Sequence, residues 1–173
     1  GVSSEDVKKA ISKFQYGRTE KELAYDKQLF SIQCFNKKEI KIITRLCNLI
    51  LPPNEFGSIE DAEVPQLIEF MAKDIPAYEA PIKEGLLILD EISKQKNSKV
   101  FIDCNDIEQK KILDQIAFPN PDLSSSEQKE EVKWFSLMRN LTMTGYYTSK
   151  VGIGNLVMLV TLQMYGTESL KMF

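Results

Sequence analysis

Apolar residues in this chain recur at three- and four-residue steps, and prolines divide the runs. That period places them on one face of a helix, whereas a half-buried strand would alternate every second residue. Ile40, Ile43, Leu46, Cys47 and Ile50 form one such face, with Ile42 and Leu49 widening it, and Asn36 with Glu39 forms a capping pair in front. Pro52-Pro53 stops that helix, because proline cannot continue the hydrogen-bond ladder. Val64, Leu67, Ile68, Met71, Ala72 and Ile75 follow, with Pro65 in the first turn and Pro76 as the breaker. A further helix is expected from Tyr78 to Ser93, facing inward through Ile82, Gly85, Leu86 and Leu89. Glycine inside a helix costs about 1 kcal/mol relative to alanine. A close helix crossing at Gly85 would explain it.

Lys94 to Lys99 reads as a polar loop. Asn105 and Glu108 form a second capping pair, opening a helix through Ile112, Leu113, Ile116 and Ala117 that Pro119 and Pro121 end. Ser124 with Glu127, or Ser125 with Gln128, caps the last amphipathic run, which carries Trp134, Phe135, Met138, Leu141, Thr142 and Gly145 on one face. Gly145 reads as the point where the chain leaves that helix with positive φ. At the other end, Val7, Ala10, Ile11 and Phe14 define a short amphipathic helix. Residues 17–27 read as a polar arm, and the alternation of Phe30, Ile32 and Cys34 as a short extended piece. The expectation is an all-α single helical domain of about six helices, with a helix and arm at residues 1–35, a helical body at 36–156 and an atypical tail at 157–173.

The composition excludes several kinds of chemistry. The chain has no histidine, which removes the commonest general base and metal ligand and excludes Ser-His-Asp and Cys-His mechanisms. Its three cysteines, Cys34, Cys47 and Cys104, are far apart and make no C-x-x-C or haem-attachment motif. Net charge is -3 and the basic residues do not cluster, which argues against nucleic acid. No run of about 18 apolar residues is present to span a bilayer. The chain begins at Gly1 with no Met, which leaves room for a removed upstream segment.

Candidate sites are few. Asp103, Asn105, Asp106 and Glu108 resemble a calcium loop only superficially, since no glycine stands at the turn, and acids at a helix N-terminus complement its dipole. Glu60, Asp61 and Glu63 could serve as paired carboxylates, the basis of a stand-alone hydrolase reading, or be solvated loop residues. Gly145, Gly152 and Gly154 do not form a phosphate loop. Phe135, Arg139, Thr142, Tyr146 and Tyr147 are the candidate partner-binding residues, because aromatic and arginine side chains anchor interfaces. The competing reading is a core helix.

Several blocks resemble the small subunit (subunit 3) of gluconate 2-dehydrogenases. These are Leu49-Ile50-Leu51-Pro52, the segment Ala62 to Met71, Gly85-Leu86 with Leu89-Asp90, Phe101-Ile102-Asp103-Cys104 with Gln109-Lys110, and Leu137 to Ser149. They fall in the family's order over residues 36–156. The resemblance implies a non-catalytic small subunit that supports assembly, export or stability of a flavin-dependent sugar or sugar-acid dehydrogenase. It implies that FAD belongs to a flavoprotein large subunit of the glucose-methanol-choline oxidoreductase type and haem c to a cytochrome c subunit, with no cofactor in this chain. It also implies a periplasmic or exported location. The alternative is a helical protein-binding module without a dehydrogenase partner.

After Leu156 the resemblance stops. The family's ending is similar to Leu-Gly-Tyr-Val-Gly-Asn-x-Pro-Asn-x-Trp-x-Gly. Synonymous codons exist for residues 156–168 in which one inserted base restores that ending, so a one-base deletion is the expectation and a divergent tail its rival. Val157, Leu159, Val160 and Leu162 make such a tail apolar, suited to self-association.

Overall fold

The computed structural model describes residues 19–124 and 128–165, with backbone only at 26, 29–31 and 159–165. The described residues include seven α-helices and one 3-10 turn, with no strand among them. They are α1 (Glu20–Ser31), α2 (Lys37–Ile50), α3 (Val64–Asp74), α4 (Pro76–Asn97), α5 (Asp106–Ile116), α6 (Glu130–Tyr147) and α7 (Lys150–Tyr165). The 3-10 turn, Phe101–Asp103, lies between α4 and α5. The expected helix around Val7 to Phe14 lies outside the described residues.

Helices α2, α3, α4 and α6 pack on one another around a single core. Phe35, Ile43, Leu46, Ile68, Ile82, Leu89, Phe101 and Met138 are fully buried there. Both capping boxes form: Asn36 Oδ1 accepts from Glu39 N at 2.9 Å, and Asn105 Oδ1 accepts from Glu108 N at 3.0 Å, each returned by the glutamate. The helix ends at Ile50 and Ile116 follow the prolines as the sequence predicts.

The described part of the expected polar arm is instead helical: α1 (Glu20–Ser31) covers residues 20–27 and takes in Phe30, while Ile32 and Cys34 of the expected extended piece lie in the non-helical residues 32–36 that join it to α2. A capping box starts α1: Thr19 N donates to Glu22 Oε2 at 2.7 Å, and Glu22 N to Thr19 Oγ1 at 3.4 Å. With charged helix formers behind that cap, polarity does not make the segment a loop. Helix α4 starts two residues early, at Pro76, and runs through the expected 94–99 loop to Asn97, where Ser98 ends it at φ 57°. Pro76 occupies its first turn, where the missing N–H is no loss. Of the serine pairs expected to cap α6, Ser125 and Glu127 lie outside the described residues. The helix begins at Glu130 behind Lys129, which offers no capping side chain. Gln128 instead ties the preceding turn, accepting from Asn120 N at 2.9 Å and donating to Asn120 O at 2.7 Å.

Gly145 is not a break. It sits inside α6, which continues to Tyr147, and its φ is not positive. A Cβ there would stand 3.0 Å from Leu67 Cδ2 and 3.3 Å from Val64 Cγ1, so the glycine admits α3. The chain turns after Thr148. Ser149 opens α7, its hydroxyl donating to Tyr146 O at 2.6 Å and accepting from Gly152 N at 3.1 Å. Helix α7 then passes Leu156 without a break.

Candidate functional site

Helix α6 carries the candidate partner residues, and the structure splits them. Phe135, Thr142 and Tyr146 are 6%, 0% and 1% exposed. They belong to the core, a correction to their reading as docking residues. The reason is phase: positions 135, 142 and 146 share the helix face of Met138 and Gly145, which packs on α2, α3 and α4. Thr142 Oγ1 donates to Met138 O at 2.7 Å and lies 3.2 Å from Cys47 Sγ. Tyr146 latches a loop, its hydroxyl donating to Asn54 Oδ1 at 3.1 Å. Asn54 and Gly57 form a tight turn by exchanging backbone hydrogen bonds of 3.2 and 3.1 Å, with Gly57 at φ 140°. Tyr147, half-buried, meets the Tyr146 ring edge-on with centroids 5.2 Å apart. Arg139 is half-buried at the edge of the packed face and makes no salt bridge with any described residue. Tyr146→Ala is therefore expected to lower the melting temperature by 5 °C or more, from ~3 kcal/mol of lost aromatic packing. Arg139→Ala should leave it within about 2 °C. Differential scanning fluorimetry of the two variants checks both.

The loop acids are structural. Asp61 Oδ2 accepts from Ser58 N at 2.8 Å and from Ser58 Oγ at 2.7 Å, and those bonds hold its pKa below the usual carboxylate value. A carboxyl kept ionised in this way is a poor general acid. Glu60 accepts from the Asn48 side-chain amide, and Glu63 stands at the start of α3 with φ 55°. Around Asp106, Lys110 and Arg45 hold the carboxyl below its usual value, the two cations sitting 2.7 Å from its oxygens. Among the described residues no group of three or more Cys, Asp or Glu side chains is arranged to hold a metal ion.

None of the thiols is activated. Burial and the Glu79 and Glu69 carboxylates push Cys34 up to about 11, burial pushes Cys47 up to about 11, and burial also raises Cys104. All three are free. The thiolate is the reactive form, so an Ellman's reagent titration of the native chain at pH 8 should be slow, with three equivalents appearing on unfolding. The Cys34 rate should climb through pH 9 and level only near 11. A Cys34 rate that levels near pH 8.5 would show an unshifted thiol.

Two shallow depressions stand out among the described residues. One lies over Gln33, Cys34, Phe35 and Lys83, the other between Arg45, Asn48, Pro52, Pro53 and Lys110. Both are open to solvent, and their charged groups are already paired: Lys83 with Glu79 at 2.6 Å, Arg45 and Lys110 with Asp106. Helix α7 adds an exposed apolar stripe of Ile153, Leu156 and Val157. No helix among the described residues is long and apolar enough to cross a membrane.

What the sequence blocks build is packing. Asp90 Oδ1 accepts from Phe101 N at 2.9 Å, and Gln109 Nε2 donates to Phe101 O at 2.9 Å. Two separate blocks thus meet on one buried residue. The Gly85 block admits the Trp134 ring, since a Cβ at residue 85 would lie 2.0 Å from Trp134 Cδ1. Comparison with curated proteins and with solved structures finds no significant match. A family model described as gluconate 2-dehydrogenase subunit 3 matches residues 37–165, extending past Leu156, where the blocks read from sequence end. With most of its length inside that match, the chain belongs to the gluconate 2-dehydrogenase subunit 3 family.

Proposed function

We propose that this chain is the non-catalytic small subunit of a flavin-dependent sugar or sugar-acid dehydrogenase, and that it supports assembly, export or stability of its partner. The observation that carries the reading is the family match across α2 to α7. The arrangement of the matched blocks supports it. Their polar side chains are committed to internal backbone groups: Asp90 and Gln109 to Phe101, Glu69 to Cys34 and Phe35. The thiols sit above their ordinary pKa, and in the 58–63 loop Asp61 serves its own turn while Glu60 ties the loop to Asn48 on α2. A domain spent on its own packing suits a role in holding another subunit. The partner is a flavoprotein of the glucose-methanol-choline oxidoreductase type carrying FAD, with a cytochrome c subunit carrying haem c, in the periplasm. Arg139 and Tyr147, the candidates left partly exposed, are the docking positions to test first.

The experiment is co-expression with a flavoprotein of the glucose-methanol-choline oxidoreductase type from the same organism. Co-purification as a stoichiometric complex, with flavin absorbance in the complex and none in the isolated chain, is the expected result. A flavoprotein equally soluble, active and exported without this chain would overturn the reading.

The tail carries its own test. A frame shifted after Leu156 requires codons for residues 157–168 that read the Trp-containing ending in the neighbouring frame. Coding DNA that lacks that reading makes the tail a diverged one.

A further inference from the structure

The geometry points to the solvent face of α2 as a cationic ridge that docks carboxylates of the flavoprotein partner, an inference that rests on the small-subunit reading above. Lys37, Lys41 and Arg45 follow one another at four-residue steps, and Lys38 lies beside Lys41 at a three-residue step. Apolar residues separate these cations in sequence, and the helix period gathers them into one line. The only other charge on α2, Glu39, is engaged in the cap, where its carboxylate accepts from Asn36 N at 2.8 Å. Two of the cations are paired across to other elements: Lys38 with Asp90 at 3.1 Å, and Arg45 with Asp106 at 2.7 Å. Lys110 stands on the far side of Asp106, also at 2.7 Å, so the line continues onto α5. Lys37 and Lys41 are exposed and form no ion pair with any described residue.

The fold gives no reason for those two lysines. Lys37 opens α2, where the positive end of the helix dipole disfavours a cation. Lys41 stands one turn from Lys37 and one turn from Arg45, and like charges at that spacing destabilise a helix. Carboxylates brought by a partner relieve both costs. The ridge ends at the depression of about 460 Å³ where Leu49, Pro52 and Pro53 stand beside Arg45 and Lys110. Asp106 remains 54% exposed there. A bilayer or a nucleic acid presents unbroken negative charge and would meet Asp106 as well as the cations, on a chain whose net charge is already -3. A protein surface can instead set single carboxylates at Lys37 and Lys41 and apolar side chains against the prolines.

Binding of the full chain to a flavoprotein of the glucose-methanol-choline oxidoreductase type from the same organism, measured in low and in moderate salt, tests this. The wild-type affinity should fall roughly fivefold or more with the added salt. Lys37→Glu/Lys41→Glu should weaken low-salt binding roughly tenfold or more. The same charge change at two exposed lysines off α2, Lys96→Glu/Lys129→Glu, should stay within about threefold. The ridge variant should melt no lower than the wild type, since glutamate at residue 37 suits the helix dipole. A lower melting temperature would show that the lysines serve the fold and would overturn the proposal, as would equal weakening by the two double variants. Sedimentation of the wild type, but not the ridge variant, with phosphatidylglycerol vesicles would make a lipid surface the occupant. A dimer of the isolated chain that the ridge variant abolishes would make it a second copy. Either result overturns docking of the flavoprotein. A wild-type chain that does not hold the flavoprotein at all defeats the small-subunit reading and this inference together; a ridge variant that binds like the wild type defeats this inference alone.

Discussion

Gly85→Ala is expected to destabilise the domain by about 2–3 kcal/mol, although alanine is the better helix former by about 1 kcal/mol. The sign follows from space. The added methyl would lie 2.0 Å from Trp134 Cδ1 and 2.1 Å from Nε1, far inside van der Waals contact. Neither atom belongs to a flexible chain end, and the Trp134 residue is only 5% exposed. The ring cannot step aside without parting α4 from α6, two helices packed together in the core. Trp134 Nε1 is buried without a hydrogen-bond partner, so it is shape that seats the indole. Thermal melting should therefore fall by roughly 5–10 °C. A smaller ring should take up part of the strain: in a Trp134→Phe background the same glycine substitution should cost at least about 1 kcal/mol less. Additive effects of the two substitutions would mean that the methyl clashes elsewhere.

That glycine also shows which parts of the fold were legible in the sequence. Gly85 falls on an apolar helix face, and a residue without a side chain there implies a close crossing. The sequence could not name Trp134 as the crossing residue, because nothing local links positions 85 and 134. Both capping boxes were legible for the opposite reason: each is complete within four residues. Helix α1 was missed because its signal, Thr19 with Glu22, is equally local but stands before a polar segment with no apolar stripe. The burial of Phe135, Thr142 and Tyr146 was half legible. Periodicity placed them together on a face, while their aromatic and polar character suggested an interface. Only packing against α2, α3 and α4 decides that the face is internal. Glu69 and Gln109 illustrate the remainder. Each lies on a helix at an unremarkable position, and each serves a backbone group at least eight residues away.

The second large effect belongs to Asp90. The fully buried Phe101 sits in a 3-10 turn with both of its backbone polar groups turned inward, and Asp90 and Gln109 satisfy one each. Gln109 is in turn held by Arg45 Nε, which donates to its Oε1 at 2.7 Å. Lys38 pairs with Asp90 Oδ2 at 3.1 Å, but the lysine side chain is 59% exposed and the pair is screened by water. Deleting the carboxylate removes a charge-assisted hydrogen bond and orphans a buried N–H, together ~3 kcal/mol. Asp90→Ala should accordingly lower the melting temperature by about 6–12 °C. Asp90→Asn keeps an acceptor in place and should cost about 1 kcal/mol. Lys38→Met should cost less than about 0.5 kcal/mol, because it removes only the exposed half of the pair. Urea melts of the three variants give that order directly. Equal losses for Lys38→Met and Asp90→Ala would mean that the ion pair, and not the grip on Phe101 N–H, holds the turn to α4. In native-state exchange the Phe101 amide separates the two accounts again: with the grip lost in Asp90→Ala it should exchange at least tenfold faster, and in Lys38→Met it should keep its rate.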